Sequence, residues 1–229
     1  MSKAELKRRY LVCLIAIVIG ALGVCLMTRA MIGVNSVGCA TYVLAYYFPL
    51  SMGTFTIILY ALMLIVQVCL QSKEERKSQR VFTLMQIPTF VLFGLFLDLF
   101  LFLTRSFQPE TIGYLASIIT FLISVVLTSF CFSVQMCGQV AKMPSDAFVI
   151  TLAGVLKKKV GLIKLYFDFV IVIFAIVISL WRSDFSEIVG VREGTILGSA
   201  LVGPLIQVFR PRLTWCDRWI SAAATQHQR

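Results

Sequence analysis

Histidine and charged side chains are scarce in this chain, and their scarcity argues against several classes of protein. The only histidine, His227, stands near the C-terminal end, so a histidine-based metal site or catalytic triad is not expected. Charged residues make up 14% of the sequence, whereas soluble domains contain about 25%. No nucleophile–base pair, metal cluster or phosphate-binding loop is visible, and the loops are small. We therefore expect neither an enzyme nor a bound cofactor or metal.

The cysteines also lack a recognisable pattern. Their number is odd, no CxxC spacing occurs, and most fall within apolar runs. The sequence therefore predicts small buried thiols and not metal or redox chemistry. The seven positions are Cys13, Cys25, Cys39, Cys69, Cys131, Cys137 and Cys216.

Hydrophobic residues, by contrast, make up 59% of the chain and are gathered in long blocks. Six blocks approach the ~17–25 residues that a helix needs to cross a bilayer. The last block is short and is interrupted by glycine and proline. The sequence predicts an all-α integral membrane protein, residues 1–229, with six spans near Tyr10–Met27, Gly53–Leu70, Met85–Thr104, Gly113–Phe132, Leu165–Trp181 and Gly194–Phe209.

Lysine and arginine are distributed unequally between the two ends of these spans. If the N-terminus is cytoplasmic, only four arginines fall on the outer side: Arg29, Arg105, Arg182 and Arg192. The positive-inside rule therefore predicts that both termini are cytoplasmic. The one-sided charge is explained by anionic lipid headgroups, so the bilayer and not a nucleic acid is the expected partner.

Two segments between spans predict short interfacial or re-entrant helices. They are Gly33–Gly53 and Ala141–Gly161, and each begins with turn-forming residues and closes at a glycine. In the second segment, Ser145 or Asp146 is placed to cap the helix. Aligning Ser36 with Ser145 gives an offset of 109 residues, and aligning Gly53 with Gly161 gives 108.

The near-constant offset predicts a duplication, with repeats at 1–104 and 113–209 and a basic, aromatic tail at 210–229 that lies along the inner interface. Each repeat would contain a span, a short helix and two further spans. Because three spans is an odd number, the repeats would enter the membrane in opposite directions. Inverted repeats of this kind are common in secondary transporters, whose sites lie near the repeat interface.

Three motifs resemble bacterial YczE-type membrane proteins, which are related in pattern to the YitT group. They are the third-span "FGLFLDLF", the loop "MPSDAFV" and the last-span "VREGTILGSALVGPLIQVF". The resemblance implies a six-span protein of the bacterial inner membrane, with Asp98, Asp146 and a Lys164–Asp168 pair at positions of the pattern. The first-half loop departs from it: a proline and an aspartate are missing, and only Asn35 and Ser36 are polar there.

Acidic residues within the spans are candidate functional residues, because a charge in mid-bilayer is costly and usually faces protein or water. Only Asp98 and Asp168 qualify. Asp98 is either a ligand for a cation, proton or solute, or a carboxyl that locks two helices together. Lys164 and Asp168, four residues apart, share a helix face and form either an interfacial ion pair or, with Asp146, an inner gate or coupling site.

The last span contributes a second group of candidates: Gly194, Thr195 and Pro204. Small residues let helices pack closely. Pro204 also removes a backbone donor, and the carbonyl that it frees needs a protein or water partner at membrane depth. The last span therefore serves either close packing or a binding site.

Two functions follow from these features. The first is secondary transport of a small solute, coupled to protons or cations through Asp98 and Asp168. The second is a non-transporting accessory, scaffold or lipid-binding protein that associates with itself or with a membrane partner. A variant of the first is the substrate-binding subunit of a larger transport complex.

Overall fold

A computed structural model describes residues 3–138, 142–183 and 190–225 and shows eleven helices and no strand in these ranges. The predicted positions Ala141 and His227 lie outside the described residues. Six helices are long: α1 Lys3–Ala30, α3 Met52–Leu70, α5 Arg80–Leu103, α7 Tyr114–Gly138, α9 Val160–Arg182 and α10 Glu193–Arg212. Five are shorter: α2 Ser36–Tyr47, α4 Lys73–Ser78, α6 Pro109–Ile112, α8 Pro144–Leu156 and α11 Thr214–Thr225.

Five of the long helices are long and apolar enough to cross a membrane, which confirms the predicted all-α membrane fold. They are α1, α3, α5, α7 and α9. Helix α10 has 20 residues and would reach about 30 Å at 1.5 Å per residue. It is not among the five, because glycine, proline and terminal charges lower its hydropathy. A count of six spans therefore stays a prediction.

The two short helices α2 and α8 begin differently. Asn35 caps α2, and its Oδ1 accepts a hydrogen bond from the backbone N–H of Gly38 at 2.8 Å. The predicted side-chain cap of α8 is wrong, since the helix starts one residue earlier, at Pro144. Proline suits the first helical position because its φ is fixed and no N–H is needed there. Ser145 and Asp146 consequently lie inside the first turn.

The helices pack as two sets that exchange their short members. Helices α1 and α7 form the centre, α5 packs on α1, and α10 packs on α7. Helix α2 packs on α9, whereas α8 packs on α3. Each short helix therefore lies against a span of the opposite half, and each also contacts a long helix of its own half, α2 with α3 and α8 with α9.

Most cysteines are buried, as the sequence predicts, and the C-terminal helix contacts the N-terminal helix. All seven cysteines are free, and six of them are buried, with Cys69 exposed. In the tail, the guanidinium of Arg8 lies 4.7 Å from the centre of the Trp219 ring, and Trp215 is exposed. The tail helix α11 thus rests on the N-terminal end of α1.

Helices α3 and α5 are locked together by a carboxylate and two glycines. A Cβ on Gly94 would lie 2.7 Å from the carbonyl oxygen of Gly53, so the two backbones touch. The Asp98 carboxylate accepts the Gly53 N–H at 2.8 Å and the Ser51 hydroxyl at 2.5 Å. A carboxylate at a helix N-terminus also interacts favourably with the helix dipole. Asp98 therefore anchors the start of α3.

We predict that Asp98→Leu destabilises the protein, because it leaves the Gly53 N–H without its acceptor. Hydrogen bonds to charged groups contribute about 1.5–3 kcal/mol. The free energy of unfolding, measured by titrating detergent-solubilised protein with SDS, should fall by about that amount. Leu99→Ala, at an exposed position one residue further along the same helix, is the control. Equal stabilities of the two variants would contradict the anchoring role.

We also predict opposite effects for two glycines at matching positions of the repeats. In Gly94→Ala the added methyl would meet Ile57 and the Gly53 carbonyl, and overpacking of this kind costs about 1–3 kcal/mol. Gly203 has no atom within 4 Å of an added Cβ, so Gly203→Ala should be neutral or stabilise by up to ~1 kcal/mol through helix propensity. The same SDS titration measures both, and similar losses would show that the α3–α5 contact is not specially tight.

Candidate functional site

A cavity of about 1540 Å³ lies between the two halves. Its walls come from both short helices and from α3, α5, α7, α9 and α10. Met27 and Ser36 line its deep end, and Ser72, Glu75 and Arg210 line the end that faces the predicted cytoplasmic side. Both halves therefore build this cavity, and under the predicted orientation it is an inner vestibule.

Three charged residues meet at the wall of this cavity. The Lys164 ammonium lies 3.2 Å from Asp168 Oδ1 and 3.9 Å from Asp146 Oδ1. The Ser36 hydroxyl donates a hydrogen bond of 2.5 Å to the same Asp168 oxygen. The cluster links α2, α8 and α9, so it joins the short helices of both halves to one span. Sequence reasoning named all four residues, and the structure brings them together.

Asp146 is the more exposed of the two carboxylates in the cluster. Its side chain is 33% exposed, and it borders the cavity. Its one ion pair, to Lys164, is the longer of the two. Burial raises the pKa of the Asp146 carboxyl above its usual range, while Lys164 acts in the opposite direction. Asp146 can therefore accept an approaching cation more readily than Asp168, whose Oδ1 already meets both Lys164 and Ser36.

Four glutamines line the same cavity, and sequence reasoning missed them. Each side chain is more than nine-tenths buried: Gln67, Gln71, Gln86 and Gln135. Within the described part of the chain, one amide atom of each has no hydrogen-bond partner. An unsatisfied buried amide group costs about 1–3 kcal/mol. A signal was available in Gln67 and Gln71, which stand four residues apart in an apolar span and so share one face.

The other predicted residues lie elsewhere. Asn35 borders the cavity, but its side-chain oxygen caps α2. Asp98 lies outside the cavity lining, and both of its oxygens are engaged at the start of α3, which argues against a ligand role. Pro204 is exposed within α10 and does not line the cavity, although its neighbour Gly203 does.

Gly194 and Thr195 form a contact on the opposite, outer side of the fold. The Gly194 N–H donates a hydrogen bond of 3.0 Å to the Ile32 carbonyl. Gly33 has a φ of +149°, and a Cβ there would lie 2.9 Å from the Thr195 hydroxyl. Because the chain segments touch through backbone, only glycine fits at position 33. A smaller cavity of about 410 Å³, lined by Arg29, Tyr42 and Glu110 among others, also includes Met31, which precedes Ile32 in this contact.

Metal chemistry finds no support in the described ranges, where no group of three or more histidine, cysteine or acidic side chains is placed to hold an ion. The arrangement can instead bind a polar solute. It offers carboxylates, the ammonium groups of Lys142 and Lys164, the guanidinium group of Arg210 and several neutral amides.

Comparison with known proteins gives one match. Residues 7–211 match a family of unknown function, DUF6198. No curated protein and no solved structure matches the chain. The resemblance to YczE-type proteins is not addressed by this match and stays a prediction. Since the matched region covers most of the sequence, the chain belongs to the DUF6198 family.

Proposed function

We propose that this multi-pass membrane protein transports a small polar solute by alternating access, and that the structure represents its inward-facing state. The observation that carries the proposal is a large cavity between the two halves whose wall holds a charged cluster and four buried glutamines. Sites at the interface of inverted repeats are typical of secondary transporters.

The closed outer end and the open inner end involve matching positions of the two repeats. At the outer end, Gly33 packs against Gly194 and Thr195. An offset of 109 residues relates Gly33 to Lys142, and relates Met85 and Gln86 to Gly194 and Thr195. At the inner end, Lys142 and Gln86 both border the cavity. The contact that closes the outer end thus has an open counterpart at the inner end.

A second pair of contacts shows the same asymmetry. Gly53 and Gly94 touch near the outer end, where Asp98 holds them. Their repeat counterparts are Gly161 and Gly203, which have no atom within 4 Å of an added Cβ. Gly203 borders the cavity, as does Val160 next to Gly161.

If the repeats exchange conformations, Gly161 closes on Gly203 while Gly53 and Gly94 separate. Gln207 occupies the repeat position of Asp98 and is exposed. In the outward-facing state its side-chain oxygen would then accept the Gly161 N–H, as Asp98 accepts that of Gly53. The weaker, neutral partner suits a contact that forms in only one of the two states.

Coupling fits the Asp146–Lys164–Asp168 cluster better than Asp98. The cluster connects both short helices to α9 and borders the cavity, so a proton or solute bound there changes contacts between the halves. Asp98 instead stabilises the contact between Gly53 and Gly94. We therefore assign the coupling role to Asp146 and Asp168.

We predict that a cysteine in the cavity wall can be labelled from both sides of the membrane in turn. Val202 borders the cavity and is a suitable site. The background variant is Cys69→Ser, because Cys69 is the exposed cysteine. A membrane-impermeant maleimide, added to one side of oriented vesicles at a time, should label Val202→Cys from either side. Ser72→Cys and Gln108→Cys are the controls, and each should react from one side only.

A disulfide across the closed outer contact gives the matched control. With Met31→Cys and Arg192→Cys oxidised, at two positions that the Arg192–Met31 hydrogen bond places next to each other, labelling of Val202→Cys from the outer side should stop, while labelling from the inner side continues. Reduction should restore both. Labelling from the inner side alone, with or without the disulfide, would contradict alternating access and favour a non-transporting accessory or lipid-binding protein.

A further inference from the structure

We infer that the cavity binds a polar organic cation, a solute that carries a protonated amine or guanidinium group next to several hydrogen-bonding groups. That this solute is transported rests on the function proposed above; that it binds does not. The inference stands on two independent features of the cavity, its charge and its buried amides.

The charged cluster carries more negative than positive charge. Two carboxylates, Asp146 and Asp168, share one ammonium group, that of Lys164. Asp168 is well satisfied, because the same oxygen accepts from both Lys164 and Ser36. Asp146 has only the long ion pair of 3.9 Å and is partly open to the cavity. A cation entering the cavity therefore finds a carboxylate that the protein itself satisfies incompletely.

Other charges lie nearer the mouth of the cavity. Arg210 donates a hydrogen bond of 3.1 Å to the Cys137 sulfur, which directs it to α7. Lys142 is exposed, and water screens its effect on Asp146. Glu75, also exposed, offsets part of the positive charge there. The negative character of the deeper cluster consequently persists.

The four glutamines specify the rest of the solute. The side-chain oxygens of Gln67, Gln71 and Gln86 and the side-chain nitrogen of Gln135 are buried in the cavity wall without partners. Amide groups of this kind pair with hydroxyl, amine or amide groups and discriminate strongly against solutes that lack them. An apolar cation would leave them unsatisfied, so a quaternary ammonium with alkyl groups does not fit.

Helix geometry sets the distance between the charged cluster and the glutamines. On α3, Tyr60 lies beside Ser145 and near Asp146 in the cavity wall. Gln67 is seven residues further along the same face, which corresponds to about 10 Å at 1.5 Å per residue. A solute about 10 Å long can therefore place its charge at Asp146 and its hydrogen-bonding groups at the glutamines.

Thermal unfolding of the detergent-solubilised protein tests this inference without requiring transport. The probes are sets of similar size that differ in charge: glucosamine, glucose and gluconate; putrescine, 1,4-butanediol and succinate; and (4-hydroxybutyl)guanidine with the neutral (4-hydroxybutyl)urea. We expect concentration-dependent stabilisation by at least one cation and none by its neutral or anionic counterparts. Stabilisation by neutral or anionic members, or by no member of the panel, overturns the inference.

Three variants distinguish loss of the binding site from loss of overall stability. Asp146→Asn should weaken binding of the stabilising cation by at least about tenfold, since one charge pair is lost. Gln67→Leu should weaken it while leaving the preference for cations intact. Asp98→Asn, outside the cavity, should lower the melting temperature but preserve the shift caused by the cation. Unchanged binding in Asp146→Asn overturns the assignment of the charged end.

The pH dependence gives a further readout. The charged and titratable groups near Asp146 are Lys164 and Asp168 on α9, Tyr60 on α3, Cys131 on α7, and Lys142. Because burial raises the pKa of Asp146, protons compete with the cation for its carboxylate more than they would at an ordinary aspartate, so binding should strengthen as pH rises. Selective binding without two-sided labelling of Val202→Cys would retain the inference and remove the transport proposal.

Discussion

The exchange of the two short helices between halves is the constraint on which the rest of the structure depends. Helix α2 packs on α9 as well as on α3, and α8 packs on α3 as well as on α9, so each short helix bridges the two halves. The cavity forms between them because each half borrows one wall from the other. The Ser36–Asp168 hydrogen bond crosses between the halves, and the Asp146–Lys164 ion pair joins α8 to α9 at the same place.

The same constraint explains why the charged residues tolerate membrane depth. An isolated carboxylate in hydrocarbon is costly, and each one here meets a donor from another element. Asp98 meets the start of α3, and Asp168 meets both α2 and Lys164. The two aspartates therefore have different roles: one fixes a closed contact, and the other joins the halves at the cavity.

Hydrophobic block length predicted the long helices well, because a run of apolar residues has one stable arrangement in a bilayer. Their ends were predicted less well: α5 starts at Arg80 and not near Met85, since helices continue past the apolar run into polar residues. The cap of α8 was missed because Pro144 takes the first helical position. The sequence left two roles open for Asp98, that of a ligand and that of a helix lock. Only the position of Gly53, whose N–H donates to the Asp98 carboxylate, favours the helix lock. The sequence did not identify the buried glutamines as cavity residues, because polar residues near the end of a membrane span are equally expected where the span meets water at the membrane surface.

The central claim is that the two repeats exchange conformations, and one distance measurement tests it most directly. Spin labels at Lys77 and Lys158, both exposed on the predicted inner face, report the width of the cavity mouth by double electron–electron resonance in lipid nanodiscs. The account predicts two distance populations, the longer matching the open mouth described here and the shorter a closed mouth. A single population that matches the open mouth under all conditions of pH and added solute would contradict it.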